Sequence, residues 1–158
     1  MKRAAGFTLI ELVIVIVILG ILGAVAAPRF INLQGDAYEA NINGLKGSLQ
    51  SAMTLANTRA VLEGDDKGAA DVTIDGETVK FIHGFPTANA DGILKMLQNF
   101  DTDAFTTFDG GADAGDTLTI APKARAGDDA ADTTCKVVYT AAKNDDTAAK
   151  ITYETDGC

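Results

Sequence analysis

Tryptophan is absent from the sequence, histidine occurs once, and 13 basic residues stand against 22 acidic ones, for a formal net charge of −9. Nucleic acid needs a concentrated basic surface, so the charge argues against a nucleic-acid partner. The single histidine, His83, lacks cysteine, aspartate or glutamate at ligand spacing, and we expect a surface or loop residue and not a metal ligand. No nucleophile–base motif, phosphate-binding loop or zinc pattern occurs, so the sequence predicts neither an enzyme nor a catalytic residue.

The apolar residues concentrate near the N-terminus, where residues 7–27 contain only two clearly polar side chains, Thr8 and Glu11. A helix of this length rises about 30 Å, which matches the hydrocarbon core of a bilayer. A permanent single-span anchor and a secretory leader cut within "GAVAAP" both fit this composition. Because Lys2 and Arg3 precede the run, the positive-inside rule predicts that everything after it is exported.

Glu11 discriminates among these interpretations. A carboxylate within an apolar helix costs about 2.5–3.5 kcal/mol at mid-bilayer and less near the interface, and neither a leader nor a simple anchor gains from it. The stretch "GFTLIELVIVIVILGILGAVAAPRF" closely resembles the N-terminal signature of type IV pilins and of the related type II secretion pseudopilins. The residues at the family's positions are Gly6, Phe7, Thr8, Leu9, Ile10, Glu11 and Pro28.

This resemblance implies processing and assembly. A prepilin peptidase would remove residues 1–6 as a leader by cutting between Gly6 and Phe7, and would N-methylate Phe7. Residues 7–29 would then form a hydrophobic helix, first transmembrane and later in the filament core. Glu11 would meet the Phe7 amine of a neighbouring subunit, because a buried charge becomes tolerable when it is paired.

The resemblance also implies a weak point in the helix. In the family, the helix between the equivalents of Gly20 and Pro28 melts when subunits pack, and this sequence has both residues. Glycine weakens a helix, and proline removes a backbone donor. Gly and Pro are also common in transmembrane helices for packing reasons.

The pattern after Pro28 is that of an amphipathic helix. Apolar residues recur at spacings of three or four to about Leu62, where "EGDDKGAAD" ends the pattern, so we expect one helix of more than about 50 residues. The apolar stripe consists of Tyr38, Ile42, Leu45, Leu49, Ala52 and Ala56.

The remaining sequence predicts a small head. "DVTIDGETVKFI" is typical of a hairpin that turns at Asp75 and Gly76, and "TANADGILKMLQNF" predicts a short helix capped by Thr87 or Asn89. Three more strands are predicted at residues 117–120, 135–141 and 150–154, the last two pairing antiparallel. Residues 30–158 would therefore form the amphipathic half of the helix and a globular head. The predicted fold class is α+β. The resemblance implies the type IV pilin fold, with a long, partly transmembrane N-terminal helix packed on a small antiparallel sheet.

The two cysteines, Cys135 and Cys158, most simply form one disulfide in an exported domain, worth about 3 kcal/mol in the chain-entropy model; two unpaired thiols are the alternative. In type IV pilins such a disulfide closes an outward-facing C-terminal loop, whereas major pseudopilins usually lack it. The acidic residues 100–116 predict a solvated surface loop. They lack the EF-hand arrangement, so we expect no cofactor, with calcium as the alternative because related pseudopilins bind it.

A second resemblance concerns "PRFINLQGDAYEANINGLKGSLQSA" and "IHGFPTANADGI", which look like the mannose-sensitive haemagglutinin (MSHA) type of major pilin. It implies the major subunit of an adhesive pilus for surface attachment and biofilm formation. The expected partners are further copies in a helical homopolymer, the prepilin peptidase, the assembly machinery of the inner membrane, and a host or abiotic surface. The chain would span the inner membrane once, with its head in the periplasm, before it joins an extracellular pilus. A secretion pseudopilin and a membrane-anchored binding module that never polymerises are the alternatives.

Overall fold

A computed structural model describes residues 7–98 and 100–158, with the backbone alone described for residues 27–32. Two compact units make up the chain, the first ending at Asp36 and the second comprising Ala37–Cys158. The division of the sequence into residues 1–6, 7–29 and 30–158 concerns processing and assembly, and it stays a prediction.

Helix α1, Leu9–Glu63, has 55 residues, which confirms the expectation of one long helix. Its part Leu9–Ala26 has the length and composition needed to cross a membrane. The large apolar side chains of this part are between 43% and 80% exposed, because the helix is apolar on every face. Such a helix needs lipid or other helices around it.

The second unit contains the amphipathic part of α1. Ile42, Leu49 and Ala56 of the predicted stripe are fully buried, Ala52 is nearly so, and the stripe continues to Ala60. These side chains pack against two antiparallel sheets. The structure therefore confirms the α+β class, with the helix stripe at the centre of the core.

The first sheet has three strands in the order β1-β2-β3: Ala69–Ile74, Glu77–Ile82 and Phe85–Pro86. The predicted hairpin is β1 and β2, joined by Asp75 and Gly76 with φ values of 51° and 86°. Two successive residues with positive φ are characteristic of the type I′ turn, whose twist matches that of the flanking strands.

The second sheet has four strands in the order β4-β5-β6-β7: Phe105–Asp109, Thr117–Pro122, Lys136–Thr140 and Lys150–Glu154. All three predicted strands are present, and β6 pairs antiparallel with β7 as expected. Strand β4 corrects the prediction that residues 100–116 form only a solvated loop, since Phe105–Asp109 pairs with β5.

The predicted short helix around residues 87–98 is wrong, because the segment forms consecutive turns. Asn89 does act as a local cap, since its Oδ1 accepts the N–H groups of Asp91 and Gly92 at 3.0 and 2.9 Å. The Ile93 N–H, however, bonds back to the Thr87 carbonyl at 2.9 Å. This wide turn replaces the regular helix, and Ile93 is buried in the core.

Side-chain contacts join the two sheets. The Tyr139 hydroxyl on β6 donates a hydrogen bond to the Pro86 carbonyl on β3 at 2.7 Å, and burial raises the pKa of Tyr139 so that it stays neutral. At the surface, His83 lies in the turn between β2 and β3, and its Nδ1 is 2.6 Å from Asp145 Oδ1 in the β6–β7 loop. The Gly68 N–H also donates to Asp145 Oδ1, at 3.2 Å.

The His83–Asp145 contact generates a pH prediction. The hydrogen bond from His83, followed by that from the Gly68 N–H, lowers the pKa of Asp145 below its ordinary value. A carboxyl with a lower pKa in the folded state stabilises the fold above the unfolded-state pKa and loses that contribution as the pH falls through the folded-state pKa. Asp145→Asn should therefore lower the Tm at neutral pH, and the difference from wild type should shrink below about pH 4.

The measurement is thermal unfolding of the full chain in detergent, followed by circular dichroism at a series of pH values. Asp128→Asn is the matched control, because Asp128 is exposed and its carboxylate has no hydrogen bond to another described residue. A difference between Asp145→Asn and wild type that stays constant into the acid range would contradict the prediction.

Candidate assembly site at the start of the apolar helix

Glu11 lies in the first turn of α1, and its carboxylate is bound by Thr8. The Thr8 N–H and the Thr8 hydroxyl both donate to Glu11 Oε2, each at 2.8 Å. In return the Glu11 N–H points to Thr8 Oγ1 at 3.4 Å, and the Thr8 carbonyl accepts the N–H of Leu12. This is a capping box, in which a threonine before the helix and a glutamate three residues later satisfy each other's free backbone donors.

The capping box explains how the chain tolerates a carboxylate in an apolar helix. The first turn has unpaired N–H groups and carries the positive end of the helix dipole, so a negative charge is favourable there. Glu11 is also close to the beginning of the candidate membrane span Leu9–Ala26, where a charge costs less than at mid-bilayer. The sequence analysis named Thr8 as part of the signature but gave it no role, although the spacing T-x-x-E before an apolar run indicates a capping box.

The other residues predicted to act in processing and assembly lie before or within α1. Gly6 lies outside the described residues, and Phe7 is 89% exposed directly before the capping threonine. Gly20 lies within α1, with nothing within 4 Å of the position a side chain would occupy. The backbone is helical through Pro28. Cleavage at Phe7 and melting between Gly20 and Pro28 stay predictions.

Cys135 and Cys158 are joined in a disulfide with a Cα–Cα distance of 4.9 Å. Cys135 is buried directly before β6, and the chain between the two cysteines contains the paired strands β6 and β7. The disulfide therefore joins the segment before β6 to the segment after β7, at the open end of this hairpin, in addition to closing a loop.

The acidic segment has local hydrogen bonds of its own. Asp101 Oδ1 accepts the N–H groups of Asp103 and Ala104, and Asp116 Oδ2 accepts the N–H of Asp113. Within residues 7–98 and 100–158, no three histidine, cysteine or acidic side chains are grouped to hold a metal ion.

Comparison with known proteins gives two findings. The family model of the prokaryotic N-terminal methylation motif matches residues 1–27. The chain is also similar to the type IV narrow pilus major component PilA5 of Thermus thermophilus, with 52% identity over 58 residues, which are 37% of this chain and half of that protein's length. No solved structure matches the chain. The findings confirm the resemblance to type IV pilins, and the narrower resemblance to MSHA-type pilins stays a prediction.

The capping box predicts a specific effect of Thr8. Thr8→Val removes the hydroxyl that Glu11 binds, and loss of such a cap costs about 0.5–2 kcal/mol of helix stability. The amides of Glu11 and Leu12, which bond to the Thr8 hydroxyl and carbonyl, should then exchange their hydrogens faster, as NMR of the full chain in micelles would measure. Thr8→Ser is the matched control, because it keeps the hydroxyl. Unchanged exchange in Thr8→Val would show that the capping box does not hold the first turn.

Proposed function

We propose that this chain is a structural subunit of a type IV pilus and polymerises through its N-terminal helix. The observation that carries the proposal is the methylation motif at residues 1–27, placed directly on an exposed apolar helix with a carboxylate in its first turn. The similarity to a pilus major component supports the same function. The role is structural and assigns neither a catalytic residue nor a cofactor.

The assembly step rests on Glu11 and Phe7. Removal of residues 1–6 would create a positive amine at Phe7, which precedes the threonine that binds Glu11. Thr8 occupies only Oε2 of the carboxylate, and Oε1 has no hydrogen bond among the described residues. A carboxylate offers about four acceptor positions on its two oxygens. Glu11 can therefore keep its cap and accept the methylated Phe7 amine of a neighbouring subunit.

The proposal extends to the biological setting. The chain is anchored in the inner membrane with its head in the periplasm, is processed by a prepilin peptidase, and is passed by the assembly machinery into an extracellular fibre. As the major subunit of an MSHA-like pilus, it serves adhesion to surfaces and biofilm formation. The helix between Gly20 and Pro28 melts as subunits pack. The Cys135–Cys158 disulfide supports a pilus subunit over a secretion pseudopilin, since major pseudopilins usually lack it.

The test of this function is the composition of surface fibres. Fibres sheared from cells should contain the chain beginning at N-methylated Phe7, without Lys2 and Arg3, and intact mass spectrometry measures this directly. Cells without the chain should lose the fibres and adhere less. A mass that corresponds to a chain beginning at Met1 or Pro28 contradicts the processing. Cells without the chain that keep intact fibres but fail to export a secreted enzyme indicate a pseudopilin.

Glu11→Ala should separate assembly from the earlier steps. Insertion and cleavage should continue, because the segment becomes more apolar and the leader is unchanged. Fibres should be lost, because the Phe7 amine of a neighbour would be buried without its counter-charge, at a cost of about 3–5 kcal/mol. Glu39→Ala, which removes an exposed carboxylate from the same helix, is the matched control. Normal quantities of fibre built from Glu11→Ala subunits alone would refute this role.

A further inference from the structure

A groove of about 520 Å³ lies on the head between the β1–β2 hairpin, α1 and the turns that end at Gln98. Its volume is in the range of ligand sites. The lining is mixed, and its floor carries four accessible apolar side chains: Leu55 of α1 is 54% exposed, and Leu94, Met96 and Leu97 are half-buried. A groove of this kind gains stability when an apolar side chain covers it.

The rim of the groove is acidic and lacks counter-charges. Asp75 lies in the hairpin turn and Glu77 directly follows it; both are exposed, and neither has an ion pair with another described residue. Lys95 is the one cation that lines the groove, and its Nζ donates to the Thr78 carbonyl at 3.0 Å and lies 3.7 Å from Asp91. The groove therefore fits an apolar segment that carries a positive charge.

The chain itself contains such a segment at the end of its apolar run. Arg29 is the only basic residue within residues 7–45, and it stands in the sequence "PRFINL" beside Phe30, Ile31 and Leu33. Copies with a net charge of −9 repel each other, and opposite charges across an interface fix its register. A contact at the acidic rim therefore requires a cation from the incoming copy.

We propose that the groove receives residues 28–33 of a second copy, with Arg29 beside Asp75 and Glu77 and the neighbouring apolar side chains on the floor. The inference rests on the proposed function, which requires contacts between copies. Donor segment and receiving groove are different surfaces, so the contact is heterologous. Heterologous contacts that do not close into a ring give open helical filaments.

A charge-swap experiment tests the contact in cells that assemble the full chain. Asp75→Asn combined with Glu77→Lys reverses the rim, and asparagine tolerates the φ of 51° at residue 75. Arg29→Glu reverses the donor. Each change should lower the mass of sheared fibre by about tenfold or more, as expected when charges at an interface oppose each other. The three substitutions together should restore most of the fibre.

The matched control is Asp103→Asn combined with Asp128→Lys, which changes the net charge equally at exposed residues outside the groove. It should assemble like wild type. Circular dichroism of each variant in detergent checks folding, and intact mass checks cleavage at Phe7. Normal fibre from the rim variant, or failure of the combined variant to restore fibre, overturns the inference. Reduced adhesion with a normal quantity of fibre in the rim variant also overturns it, because the groove would then bind another molecule and not a second copy of the chain. Absence of fibre from wild type would instead refute the proposed function.

Discussion

Burial of one stripe of α1 is the constraint on which the head depends. Both apolar clusters of the second unit contain residues of this stripe: Ile42 and Leu49 pack with the four-stranded sheet, and Ala56 and Ala60 pack with the hairpin. Fully burying a side chain such as leucine or isoleucine contributes about 1.5–3 kcal/mol. The stripe changes from large residues to alanine where it packs with the β1–β2 hairpin.

The first part of the same helix has the opposite requirement, because its apolar side chains are exposed on every face. The Thr8–Glu11 capping box reconciles a charge with this environment. Both donors of Thr8 are directed to Glu11 Oε2, and the second oxygen has no hydrogen bond to another described residue. The carboxylate therefore stabilises the start of the helix in the single chain, and pairing with a neighbour's amine would add to this cap without breaking it. Under the proposed function, tolerance in lipid and recognition in the filament would depend on the same side chain.

Periodicity predicted the elements whose local pattern agrees with their packing. The spacing of Ile42, Leu49 and Ala56 predicted α1, and the Asp75–Gly76 turn predicted the first hairpin, because each signal is local. Residues 87–98 have a helical pattern, but burial of Ile93 and its bond to Thr87 override it. Strand β4 was missed because its acidic surroundings indicate a loop, while its stability comes from pairing with β5. Glu11 was noticed as a carboxylate within an apolar run, and the resemblance supplied its expected role. The groove combines α1, the hairpin and the turns and leaves no signal in any one of them.

The charges of the assembly segment suggest how a filament would fix its register. Between Phe7 and Leu33 the sequence has one acidic side chain, Glu11, and one basic side chain, Arg29, on opposite sides of the apolar run. Apolar contacts between such helices are non-directional and would allow one helix to slide along another. Two charge pairs of opposite sign, separated along the chain, are satisfied together only at one relative position. The apolar run would then supply the stability of the contact between copies, and the two charges would determine where along the neighbour it forms.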